Sequence, residues 1–145
     1  ENSVWGHDVE DNAYALMRTA DGKVAMLHSS ASSWRHRFHL DITLSNGSLV
    51  LSGILSGSKS YGEETLTIIR RGKDDMGVPQ EETTRYNTDP SWELEVAEFA
   101  DAINKNVPIS NGSVEDALKT MELVYRIYCA DATWRDKWAL EAEDI

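Results

Sequence analysis

Ser32-Ser33-Trp34-Arg35-His36-Arg37 gathers more functional chemistry than any other stretch of this chain. An indole stacks on the C–H face of a sugar ring, and a guanidinium offers forked donors to hydroxyl, carboxylate or phosphate oxygens. An imidazole exchanges protons near neutral pH. Trp34, Arg35, His36 and Arg37 are therefore the candidate substrate-binding residues. The competing reading is structural, with Trp34 packed under a sheet edge and the arginines offsetting acidic neighbours. Lys59 and Tyr61 form a secondary candidate pair.

Other constellations fall short of a complete site. His36 and His39 are three apart, which on a strand sends them to opposite faces. His28 can approach His36 across a strand pair, but a third ligand is not evident, so no metal is expected. The Gly-rich run 52–62 invites a phosphate-loop reading. Gly53 and Gly57 have only three residues between them, however, and Ser58 intrudes before Lys59. No G-x-G-x-x-G follows a strand, so no cofactor is expected in this chain. Serine, His28, His39 and Asp41 are present without the G-x-S-x-G elbow that exposes a nucleophile. No carboxylate lies in an apolar run that would raise its pKa. No catalytic residue is assigned.

Composition bounds the rest. The 145 residues are 41% apolar and 27% charged, the balance of a globular protein and not of a disordered one, and they suit a single domain over 1–145. A formal charge of −11 argues against nucleic acid and against an anionic membrane surface as partners. The lone Cys129 excludes an internal disulfide and favours a reducing compartment, hence the cytoplasm. No apolar run approaches the roughly 20 residues that cross a bilayer, and no secretory signal opens the chain. Asn46 and Asn111 each head an Asn-Gly-Ser triplet and are read as turns. Glu1 in place of Met raises the expectation that an upstream stretch has been removed.

The elements that must position these residues come in two blocks. Strands are expected over 12–19 and 23–31, joined by Asp21-Gly22 as a type I′ turn. A third strand starts in the Ser-rich segment and alternates, with Phe38, Leu40, Ile42 and Leu44 on one face and Arg37, His39, Asp41 and Thr43 on the other. Asn46-Gly47 turns the chain into a fourth strand; 63–71 forms a fifth and 81–87 a short sixth. The period then changes. Asp89 caps a helix with Pro90 at its first position, and Trp92, Val96, Phe99 and Ile103 form a core-facing stripe. That helix stops near Asn106. Ser113 caps a second helix running through Met121, Val124 and Tyr128, and the residues from Arg135 onward are read as peripheral. The expected class is α+β: an open, mostly antiparallel sheet of five to six strands with two C-terminal helices packed on one face. The other face, with Leu16, Ala25, Leu27, Val50 and Ile69 off the covered side, is expected to meet a partner, giving a homo-oligomer through the sheet.

The ordered set of segments resembles the C-terminal domain of the glucose–fructose oxidoreductase / inositol dehydrogenase (Gfo/Idh/MocA) family. The resemblance runs through Asp11-Asn12-Ala13, the hairpin Asp21 to Ala25, and Asp41 to Leu49, where Leu44 replaces a usual Gly. It continues through Glu98 to Ile103 and from Ala117-Leu118 to Tyr128. It implies a parent enzyme whose N-terminal Rossmann domain, absent from this chain, binds NAD or NADP and supplies the catalytic lysine. It also places Trp34 to Arg37 where family members present an aromatic residue to substrate. The family's catalytic histidine is not carried over, because Trp5-Gly6-His7-Asp8 lacks the Gly–Asp–His spacing. The expected function is that of a substrate-binding and oligomerisation domain of an NAD(P)-dependent oxidoreductase acting on a sugar or polyol, not catalytic alone. The alternative is a free-standing, non-catalytic module that binds a protein or a saccharide.

Overall fold

The computed structural model describes residues 2, 4–58, 60–72 and 78–141. The described elements are β1 (Asn12–Arg18), β2 (Val24–Ser30), β3 (His39–Leu44), β4 (Gly47–Ser52), β5 (Glu64–Arg70), β6 (Gln80–Tyr86), α1 (Ser91–Lys105), α2 (Val114–Ala130) and α3 (Ala132–Trp138). The class is α+β, with strands preceding helices. The strands form two antiparallel sheets and not one: β1-β2, and β3-β4-β5-β6 in sequential order. The split has a local cause. The Ala31 N–H bonds the Asp11 carbonyl at 2.7 Å and closes the first ladder, and no ladder resumes before His39. Between them the serines satisfy one another and their neighbours: Ser32 Oγ bonds Asn12, and the Ser32 N–H donates to Ser30 Oγ. Such local bonds compete with strand pairing.

The chain divides into two compact units, residues 1–32 with 98–145, and residues 33–97, the boundary falling inside α1. In the first unit, the β1-β2 turn is not the expected type I′. Only Gly22 takes a positive φ (+90°), and Asp21 does not. The Gly22 N–H returns to the Thr19 carbonyl at 3.0 Å, and the Thr19 N–H to the Lys23 carbonyl at 2.9 Å, so three residues turn the chain. Leu16 stands opposite Met26, whereas Leu27 and Ala25 stand opposite Ala15 and Met17. Directly paired residues share a face, so Leu16 lies on the opposite face from Ala25 and Leu27. Asp11 and Asn12 are the buried polar residues of the described chain. The Asp11 carboxylate accepts the Val4 and Trp5 N–H groups at 2.6 and 3.1 Å, compensating its burial.

Helix α2 begins as expected, with Ser113 Oγ accepting the Asp116 N–H at 3.2 Å. It ends at Asp131, whose carboxylate accepts the Trp134 N–H at 3.0 Å and thereby caps α3, a helix not anticipated from the sequence. The Tyr128 hydroxyl donates to the Glu10 carboxylate at 2.6 Å, which holds the phenol up at about 12; burial and the carboxylate's charge add to the effect.

In the second unit, alternation sorts the four-stranded sheet into two chemical faces. One carries Leu40, Ile42 and Leu44 of β3, Leu49 and Leu51 of β4, and Leu66 and Ile68 of β5. The other carries His39, Asp41 and Thr43, and across the register Ser48, Val50 and Ser52, then Thr65, Thr67 and Ile69. Thr67 and Thr83 bond across β5 and β6 at 2.9 Å. Val50 and Ile69 are thus islands on a polar face. The β3-β4 turn uses Ser45 and Asn46, with Gly47 already opposite Leu44 in the ladder.

At the start of α1, Asp89 accepts the Ser91 N–H at 3.1 Å, and the Ser91 hydroxyl together with this N–H holds its carboxyl below the usual value. Asn106 ends the helix in a left-handed turn (φ 50°). The stripe expected to face a core does not: Trp92, Val96, Phe99 and Ile103 are exposed, and Ala102 is the buried residue of α1. Periodicity specifies an amphipathic helix without specifying what covers it. Among the described residues no helix is long and apolar enough to cross a membrane.

Candidate functional site

The site is built at one end of the four-stranded sheet, within the second unit. Phe38 leads into β3 and Gly53 follows β4; the Gly53 N–H bonds the Phe38 carbonyl at 3.1 Å and ties the two segments together. Gly53 has φ +72°, and a Cβ there would overlap the Glu63 carbonyl oxygen and sit 2.6 Å from its carbon. Only glycine permits this close approach, which narrows the base of the loop between β4 and β5. The Glu64 carboxylate accepts the Leu55 N–H at 2.8 Å and fastens the loop from inside.

This loop returns to the Trp34–Arg37 segment. His36 Nδ1 and Ser60 Oγ lie 2.6 Å apart, and the His36 and Tyr61 rings are 5.0 Å apart at 41°. Behind Ser60 runs a chain of hydroxyls: Ser60 to Ser58 at 2.7 Å and Ser58 to Ser56 at 3.1 Å. His39 Nδ1 meets Ser52 Oγ at 3.2 Å on the first row of the polar face. Trp34 is fully exposed (105% relative accessibility), so it does not pack under a sheet edge. Arg35 and Arg37 are exposed on either side of His36.

The structure therefore brings His36 and Tyr61 together from two segments that the sequence presents as separate candidates. Trp34, Arg35 and Arg37 belong to the same loop, a bend and not the opening turn of a strand. Lys59 lies outside the described residues. The serines were missed, although their spacing at 56, 58 and 60 is a legible alternation. His28 stacks on Tyr14 with ring centroids 4.5 Å apart. Among the described residues, no group of three or more His, Cys, Asp or Glu side chains converges as a metal site would require.

Chemically, the cluster presents alternating hydroxyl and imidazole donors and acceptors beside an exposed indole. That suits recognition of a polyhydroxylated ligand, whose rings bind by stacking and by hydrogen bonds to each oxygen. The Ser60–His36 pair meets the first condition for a nucleophilic serine. A triad also needs a carboxylate on the other imidazole nitrogen, and among the described residues none bonds His36.

A separate cleft of about 700 Å³ opens at the opposite end of the sheet, around Asn46, Ile69 and Arg70. Arg70 is already paired with Glu82 at 2.9 Å, and the walls are mostly turn backbone and aliphatic side chains. The smaller cluster around His36 carries the more versatile chemistry. No protein-family model, curated protein or solved structure matches the chain.

Proposed function

We propose that this chain is the substrate-binding and oligomerisation domain of an NAD(P)-dependent oxidoreductase acting on a sugar or polyol. The observation that carries the reading is the meeting of His36 with Ser60 and Tyr61 beside the exposed Trp34. Those groups bind and orient hydroxyls, and none of them is arranged to transfer hydride. Hydride transfer is the work of a nicotinamide cofactor, and on this reading cofactor and catalytic lysine belong to a Rossmann domain outside this chain. The resemblance to Gfo/Idh/MocA C-terminal domains supports the same assignment through the order of its segments. The assembled enzyme on this reading is a homo-oligomer formed through the sheet.

The test has two parts. The coding sequence upstream of Glu1 is expected to hold a strand followed by G-x-G-x-x-G and a helix. The complete enzyme is then assayed for polyol-dependent reduction of NAD or NADP. Replacing Trp34 and His36 together by Ala is expected to raise KM about tenfold or more, with cofactor affinity unchanged. Unchanged kinetics would remove the site assignment, and a coding sequence without a nucleotide-binding unit would remove the enzyme reading.

A further inference from the structure

We infer that the ligand of this site carries an oxyanion, a carboxylate or a phosphate ester, held by Arg35 and Arg37; this rests on the polyol-binding reading above. The chain has 25 acidic and 14 Lys and Arg residues, so carboxylates outnumber cations nearly two to one. Six of the cations, Lys23, Arg70, Arg85, Lys105, Lys119 and Arg135, each hold a carboxylate within 4 Å. Among the described residues, Arg35 and Arg37 hold none; Arg18, Arg126 and Lys137 share that condition, but Arg35 and Arg37 flank the histidine at the centre of the site.

The acids of the neighbouring loop are engaged elsewhere. Glu63 pairs with Arg85 at 3.0 Å, and Glu64 accepts the Leu55 N–H. Asp41 lies beyond His39 along β3, opposite Val50, and bonds neither arginine. The result is a local pair of uncompensated guanidinium groups on a strongly acidic chain. At physiological ionic strength charges are screened over about 8 Å, so the acids of the rest of the chain weigh little at the loop. Guanidinium forks match the paired oxygens of a carboxylate or phosphate. Trp34, His36 and Ser60 remain for the ring and hydroxyls of the same molecule. Two cations in one loop are too few for a nucleic-acid track, whose affinity depends on many phosphate contacts.

The experiment follows the Trp34 indole N–H by NMR, assigned with Trp34→Phe, while the 145-residue chain is titrated at low salt. The probes are glucose, glucuronate, glucose 6-phosphate and inorganic phosphate. At least one charged sugar is expected to bind about five- to tenfold more tightly than glucose, with that advantage shrinking as salt is raised. The double substitution Arg35→Gln/Arg37→Gln is expected to abolish the advantage, so that the charged sugars bind no more tightly than glucose, while Arg35→Lys/Arg37→Lys keeps part of it. A preference for glucuronate assigns a carboxylate, and one for glucose 6-phosphate a phosphate ester. Equal binding of all three sugars overturns the oxyanion while leaving the polyol reading intact. Inorganic phosphate binding as tightly as glucose 6-phosphate overturns the polyol reading, because the hydroxyl contacts would then contribute nothing, and the inference that rests on that reading falls with it. If no sugar moves the Trp34 signal, the polyol reading fails and the inference falls with it.

Discussion

Replacing Gly53 by Ala isolates the backbone device on which the site depends. Two costs combine at this position. An L-residue at φ +72° is strained by about 1–2 kcal/mol relative to glycine. The new methyl also meets the Glu63 carbonyl and lies 3.2 Å from the Glu64 nitrogen, all backbone atoms that cannot rotate away. Relief requires β4 and β5 to part at this end, which loosens the end of their ladder beside Ser52 and Thr65, at about 1 kcal/mol per hydrogen bond. Alanine returns about 0.4–1 kcal/mol by restricting the unfolded chain. The net expectation is a loss of about 2–3 kcal/mol in the second unit. Hydrogen exchange at the β4 and β5 amides measures it locally, so the result does not depend on the two units unfolding together. Gly57→Ala is the internal control: that glycine has no positive φ and nothing within 4 Å of its added Cβ, so its cost should stay within about 0.5 kcal/mol. The Gly53 variant should also lose the His36–Ser60 contact, seen as a shift of the His36 ring signals. A Gly53 variant as stable as the Gly57 one would falsify the close-approach argument.

Two further outcomes test the first unit. Tyr128 keeps its proton more tightly folded, at about 12, than unfolded, at 10.0; its contribution is therefore complete below pH 10 and fades as pH rises through 12. Tyr128→Phe should remove that alkaline loss and cost about 1 kcal/mol at neutral pH, read from phenolate absorbance and from melts at pH 9 and 11; equal alkaline sensitivity in the variant would exclude the Glu10 bond as its source. Ser113→Ala should cost about 1 kcal/mol and fray the first turn of α2 in amide exchange, because the Asp116 N–H loses its acceptor; full protection of that turn would show the cap to be dispensable.

Each prediction rests on a local signal, and local signals are what the sequence conveyed. Strand alternation in 39–44 sorted Leu40, Ile42 and Leu44 from His39, Asp41 and Thr43 because the period of a strand is a backbone property. Asp89 and Ser113 were legible as caps because capping is decided within three residues. Asp131 obeys the same rule, but the apolar run of α2 ends so close to it that the break before α3 was hidden. The turn at Asp21-Gly22 was read one class wrong, since Asp-Gly suits both a two-residue type I′ turn and a three-residue loop with glycine alone in the left-handed region.

Non-local facts were harder to read. Whether strands 12–18 and 39–44 share a sheet depends on what the serines between them bond. Ser30 and Ser32 turned inward to each other and to Asn12, which no periodicity announces. The site shows the same limit. Trp34 to Arg37 stood out by composition, whereas Ser56, Ser58 and Ser60 looked like debris of a failed phosphate loop. What joins the two segments is Gly53, a residue with no functional group, whose missing Cβ lets β4 and β5 close beneath the loop. Side-chain chemistry can thus nominate a site from sequence, but its assembly rests here on a backbone approach that only the fold reveals.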